Sequence, residues 1–122
     1  MKRYGFPKRA RLLRSKDFRK VYAEGRRRSL DGMVAFSLAT GNPFSRVGFT
    51  VPAAFGPAVD RNRIKRRLRE AARKQWAELA PGWDIVLNPR RTSLALESPQ
   101  IEATIRKLFQ SCARTHDALG SK

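Results

Sequence analysis

The sequence offers very little of what a protein enzyme or a secreted protein uses. Its 122 residues include one cysteine, Cys112, and one histidine, His116. A lone cysteine cannot close an internal disulfide, so a reducing compartment is the simple inference. No apolar run approaches the roughly 20 residues that a bilayer-spanning helix needs. The opening residues, MKRYGFPKRARLLRSKDF, are basic but lack the apolar stretch of a signal peptide. A cytoplasmic protein without a membrane partner is therefore expected. No glycine-rich phosphate loop is present. Hydrolytic proteins need a positioned base, a nucleophile or a metal cluster. His116 reads as a solvated residue of the C-terminal tail, and Cys112 falls at a core position of the last helix, where a thiol is inert. The acidic residues are scattered. No catalytic residue is assigned, and a protein of this kind would leave bond cleavage to a partner.

Negative charge is the other scarcity. Ten Asp and Glu stand against 27 Lys and Arg, a net charge of +17. Such a charge repels itself in a compact chain and calls for a polyanion, nucleic acid first and an anionic membrane surface second. The cations are clustered: residues 1–28 hold twelve and residues 61–74 hold eight. Residues 61–74 contain a single acid, Glu70, whereas ordinary surface helices pair opposite charges at i, i+4. Arginine dominates, and its guanidinium fork matches phosphate geometry.

Apolar periodicity supplies the frame. Residues 1–14 read as an extended basic arm carrying Arg11 and Arg14. Ser15 is the expected N-cap of a short helix over residues 15–24, with Phe18, Val21 and Tyr22 on one stripe and Gly25 as its C-cap. Arg26, Arg27 and Arg28 suggest an edge strand. MVAFSLAT at 33–40 and RVGFTV at 46–51 read as strands, and residues 52–57 as a loop. A long helix is expected from Ala58 to about Leu79, with Ile64, Leu68, Ala71, Ala72, Gln75 and Leu79 on one side. Asn62, Arg66, Arg69 and Arg73 fall within about 60° of one another on the opposite side. A strand at 84–88, a polar loop at 90–98 and a last helix through Ile101, Ile105, Leu108, Phe109 and Cys112 complete the chain, with residues 115–122 as a disordered tail. The order predicts a single α+β domain, an α/β sandwich around one sheet. Phe18, Tyr22 and Phe36 then have two readings: core, or a platform on which unpaired bases stack, worth about 1–3 kcal/mol per base.

RNRIKRRLRE at 61–70 resembles the Arg-Asn-Arg signature of the bacterial ribonuclease P protein subunit. VGFTV at 47–51 and GPAVD at 56–60 precede it as in that family. RLLRSKDFRKVYAEG at 11–25 is similar to the family's opening, and GWDIVLNPR at 82–90 to its last strand. The resemblance covers roughly residues 9–110. It implies a mixed sheet packed with helices, a left-handed βαβ crossover through the signature helix, and the fold of the second domain of one small-subunit ribosomal protein. It also implies the partners: a catalytic RNA, one protein per RNA, and precursor tRNA, cut at the 5′ end with Mg²⁺ held mainly by the RNA. By position, Arg61, Asn62, Arg63, Lys65, Arg66 and Arg69, with Arg73 on the same face, would contact that RNA. Phe18, Tyr22 and Phe36, with Arg11 and Arg14 of the basic arm, would hold the single-stranded 5′ leader. The family often carries basic residues after the second of these strands, where this chain has Pro52, Ala53, Ala54 and Phe55. The arginines at 26–28 are the cations available to replace them. Three rivals remain: a ribosomal or general RNA-binding protein of the same fold, a nuclease acting alone, and a cationic membrane-surface protein.

Overall fold

Period-two alternation in the strands sorts their side chains onto two faces of one sheet. The computed structural model describes residues 8–120, and side chains from residue 9 to residue 112. Residues 1–7 of the arm expected at 1–14, and the side chain of His116, lie outside that range; the rest of the arm is not simply extended, since Lys8–Ala10 form a 3-10 turn and Arg11 bridges to Val47. Four strands, β1 (Arg26–Leu30), β2 (Met33–Ala39), β3 (Arg46–Phe49) and β4 (Trp83–Pro89), lie in the order β1-β2-β4-β3. The pairs β1·β2 and β2·β4 are antiparallel, and β3·β4 is parallel. The sheet is therefore mixed. The parallel pair is joined by α2 (Ala58–Lys74), so the arginine-rich helix is the crossover of a βαβ unit. Two more helices, α1 (Ser15–Glu24) and α3 (Ser98–Gly120), complete the α+β sandwich that the sequence predicts.

Met33, Ala35, Ile85, Leu87 and Val47 point to one face and meet Ile64, Leu68, Ala71 and Ala72 of α2 and Ile101, Ile105, Leu108 and Phe109 of α3. Fully burying each large aliphatic chain contributes about 1.5–3 kcal/mol. The other face carries a smaller cluster, with Val86 of β4 and Val21 of α1 buried together with Leu12. One sheet face is thus sealed by two helices and the other is covered only in part, by α1.

Several local expectations need correction. Arg14, not Ser15, occupies the N-cap position of α1, and no side chain caps it. Gly25 does follow α1, donating to the Val21 carbonyl at 2.8 Å, but at φ −80° rather than in the left-handed cap conformation. Glycine is required there by space: a Cβ would lie 2.5 Å from the Val21 carbonyl oxygen. α2 stops at Lys74 instead of about Leu79, and a 3-10 turn follows at Trp76–Glu78. The tighter turn brings Trp76 edge-on to Phe109 of α3, with ring centroids 6.0 Å apart. Residues 90–98 are not a plain polar loop: Arg91–Ala95 form a 3-10 turn with Ser93 buried and Leu94 and Leu96 packed on the main core. α3 continues through Gly120, past Arg114, where the apolar spacing ends.

Candidate nucleic-acid interface

Strand register builds the half-open face. Arg27 pairs with Phe36, Phe36 with Val86, and Gly48 with Val86, so these four form one row across the sheet. Alternation splits the arginine triplet: only Arg27 joins this row. Arg28 turns to the opposite face, where it donates to Ser111 Oγ at 2.7 Å. α1 lies over the row. Phe18 rests on Gly48, where a Cβ would come within 2.6 Å of its ring. Tyr22 meets Phe36 edge to face, with centroids 4.8 Å apart, and its hydroxyl donates to Asn88 Oδ1 at 3.0 Å. All three aromatics are half-buried, so neither of the two sequence readings excludes the other. One side of each ring is packed and the rest is accessible.

Three recesses run along this face. One of about 270 Å³ is lined by Arg11, Leu13, Phe18, Gly48, Lys65 and Arg69. The next, about 280 Å³, is lined by Ser15, Phe18, Arg19, Tyr22 and Thr50. The third, about 480 Å³, is lined by Arg27, Phe36, Thr50, Asn88 and Arg90, among others. Phe18 belongs to the first two and Thr50 to the last two. The result is a trough with cations at both ends and aromatic rings between. Its first end opens against Lys65 and Arg69 of α2. Arg11, Phe18, Tyr22 and Phe36 are brought together as the sequence suggests. Arg14 is exposed at the start of α1 and lines none of these three recesses.

The polar and basic residues of α2 differ in exposure and in partner. Asn62, Arg63 and Arg66 are exposed, while Lys65 and Arg69 are half-buried along the trough. Arg61 donates through Nε to the Gly56 carbonyl at 3.1 Å. Arg73 is paired with Glu70 one turn back, and Lys74 with Glu102 of α3. The Arg73 hydrogen bond holds the Glu70 carboxyl below its ordinary range, and the same bond pushes the Arg73 guanidinium up. Arg67 donates to the Leu96 carbonyl and so ties α2 to the turn before α3.

Sequence reasoning missed the most buried charge among the described side chains. Asp84 lies on β4 beneath α1 with its side chain 6% exposed. Arg46 of β3 grips it with two bonds, Nε to Oδ1 at 3.0 Å and Nη2 to Oδ2 at 2.6 Å. The same guanidinium reaches Asp17 of α1 at 3.3 Å. The bond to Asp84 outweighs burial and raises the Arg46 pKa. Asp17 sits in the first turn of α1, where an acid suits the helix dipole. Arg46 lies 29 positions from Asp17 and 38 from Asp84 in sequence. Cys112 is buried, as its spacing predicts, and burial pushes its thiol up.

Among the described residues, no group of three or more His, Cys, Asp or Glu converges. Asp17, Asp60, Glu70, Asp84 and Glu102 each face an arginine or lysine instead. No helix among the described residues is long and apolar enough to cross a membrane.

Known proteins match this arrangement along almost the whole chain. Residues 6–113 fit the model of the family described as Ribonuclease P. The ribonuclease P protein component of Roseiflexus sp. (strain RS-1) is 37% identical over 105 residues, spanning 84% of this chain and 86% of its own. That of Symbiobacterium thermophilum is 39% identical over 95 residues, spanning 76% and 82%. The solved RNase P protein from Thermotoga maritima superposes with a TM-score of 0.75 at 28% identity, covering 83% of this chain and 96% of that one. Sequence signature, sheet topology and these relatives agree, and the chain belongs to the family of bacterial ribonuclease P protein components.

Proposed function

We propose that this chain is the RNA-gripping half of a ribonuclease P ribonucleoprotein, promoting 5′ maturation of tRNA by holding two different RNA surfaces at once. Membership in the family favours that role over a ribosomal or general RNA-binding one. The exposed side of α2, with Asn62, Arg63 and Arg66, takes the folded partner RNA through its phosphates. The trough beneath α1 takes the single-stranded leader of precursor tRNA, whose bases stack on Phe18, Tyr22 and Phe36 at about 1–3 kcal/mol each. Stacking of this kind tolerates any base, which suits leaders of varied sequence.

The assignment rests on one arrangement: the trough and the arginine helix share a wall at Phe18, Lys65 and Arg69. A leader in the trough then meets partner RNA at that end. Arg27 and Arg90 supply cations at the far end, beside Pro52, where the 52–55 loop has none. Arg73 and Lys74, held by Glu70 and Glu102, contribute long-range field more than direct contact. The cut itself belongs where the partner RNA holds Mg²⁺, the ion supplying charge stabilisation and an activated water. One protein serves one RNA.

Reconstitution of the RNA with and without the protein at low Mg²⁺ tests this, with cleavage rate and precursor affinity as readouts. A gain in either is expected; no gain removes the proposal. Cleavage of precursor tRNA by the nucleotide-free protein would also overturn it. Arg66→Ala and Arg69→Ala should each weaken RNA binding and reduce the slope of log K against log salt by about 1. An unchanged slope would remove those residues from the interface.

A further inference from the structure

The start of α2 lacks the usual device for its position. Its N-cap is Pro57, and no side chain caps the helix. The helix instead begins in a loop held from outside by Arg91, from the 3-10 turn that follows β4. Arg91 Nη1 donates to the Phe55 carbonyl at 2.8 Å, and Nη2 to Asp60 Oδ2 at 3.2 Å. Its guanidinium carbon sits 5.9 Å from the Phe55 ring centroid. Between these contacts the backbone passes at Gly56, φ 148°, where a Cβ would lie 2.3 Å from Arg91 Nη1. A side chain there would push the guanidinium out of its place, and the positive φ itself favours glycine. Arg61 completes the knot by donating to the Gly56 carbonyl.

An ion pair with its arginine 57% and its aspartate 24% exposed adds little to stability. Its consequence is local. Asp60 directly precedes Arg61, Asn62 and Arg63, and its carboxylate is the one negative charge in the first turn of α2. Left bare, it would face any phosphate those residues attract. We propose that Arg91 is a positioning residue for RNA binding: it neutralises Asp60 and fixes the 55–57 loop, so that the arginine-rich end of α2 meets phosphate without an opposing charge. This rests on the reading of α2 as an RNA-binding helix. Arg91 acts here through Asp60 and the loop carbonyl, not by touching RNA.

A double-mutant cycle separates that role from direct contact. Affinity for a ribonuclease P RNA transcript and its salt slope are measured for the intact protein, Arg91→Ala, Asp60→Asn and the double variant. Arg91→Ala should weaken binding about three- to tenfold while Asp60 is present. In the Asp60→Asn background the same change should cost less than about twofold and leave the salt slope unchanged. A loss as large in that background, with the slope lower by about 1, would make Arg91 a phosphate ligand and overturn the proposal. So would Arg91→Ala binding as tightly as the intact protein. Should Arg91→Ala fail to fold, Arg91→Gln takes its place in the cycle, with the same outcomes expected. Arg66→Ala runs alongside. If it too leaves binding unchanged, α2 is not the RNA helix; if it weakens binding while the cycle shows no coupling, only the role of Arg91 falls.

Discussion

Removing Arg46 should destabilise the fold, and the size of the effect can be worked out from its partners. Arg46→Met keeps most of the aliphatic stem and deletes the guanidinium. Asp84 then loses both its bonds while remaining 6% exposed. Breaking a buried pair from one side costs about 3–5 kcal/mol, because a desolvated charge is left alone. Asp17 loses only a 3.3 Å contact at a side chain 21% exposed, worth no more than about 1 kcal/mol. Domains of this size hold about 5–15 kcal/mol in total, so the variant should lose a large fraction of its stability. Its melting midpoint should fall by roughly 10–20 °C. Urea unfolding followed by circular dichroism measures this. The double change Arg46→Met with Asp84→Leu removes the charge along with its partner and should recover most of the loss. Asp17→Asn alone should cost about 1 kcal/mol or less. If Arg46→Met costs under about 1 kcal/mol, or the double variant is no more stable than the single, the buried-charge reasoning is wrong.

The trough gives three further tests and the thiol a fourth. Tyr22→Phe keeps the ring against Phe36 and loses the bond to Asn88, so it should lower stability by about 0.5–1.5 kcal/mol and leave leader affinity nearly intact. Tyr22→Ala and Phe36→Ala should each weaken precursor binding by about 1–3 kcal/mol without weakening binding of leaderless tRNA; fluorescence anisotropy with both RNAs separates the cases, and equal losses on both would refute a leader site. Arg27→Ala should reduce precursor affinity and its salt slope where Arg28→Ala does not, because only Arg27 faces the trough and Arg28 is engaged with Ser111. Burial raises the Cys112 thiol above its unfolded value, so the stabilisation is complete below the unfolded pKa and is lost as pH rises through the folded one. Stability should therefore decline above about pH 8.5, the ordinary thiol range, and Cys112→Ala should remove that part of the decline in urea titrations at stepped pH; an unchanged profile would refute it.

Local pattern was enough for the elements whose signals are themselves local. α1 spans residues 15–24 as its apolar stripe predicts, and Ile64, Leu68, Ala71 and Ala72 are the buried side of α2. The triplet Arg26–Arg28 is an edge strand, consistent with the charge that edges carry to discourage further pairing. What periodicity could not reveal was set by contacts distant in sequence. The helix stops at Lys74 because Trp76 finds Phe109, 33 positions on. Residues 91–95 curl because Leu94 and Leu96 have a core to join, and polar composition hides that.

The same limit governs the site. Composition counts arginines alike, yet the fold divides them by what already occupies their donors. Arg46 is spent on Asp84 and Asp17, Arg67 on the Leu96 carbonyl, Arg73 on Glu70 and Arg91 on Asp60 with the Phe55 carbonyl. These hold the scaffold and mask five of the carboxylates together with Lys74. Masking matters as much as cation number. A phosphate chain is attracted by net local potential, and an unpaired acid beside the arginines would subtract from it within a Debye length of about 8–10 Å. The exposed cations at 63 and 66 and those lining the trough therefore work at closer to full strength than a count of +17 spread over the chain would suggest. On the function proposed above, the internal ion pairs would serve RNA binding by masking carboxylates, although none of them has to touch RNA.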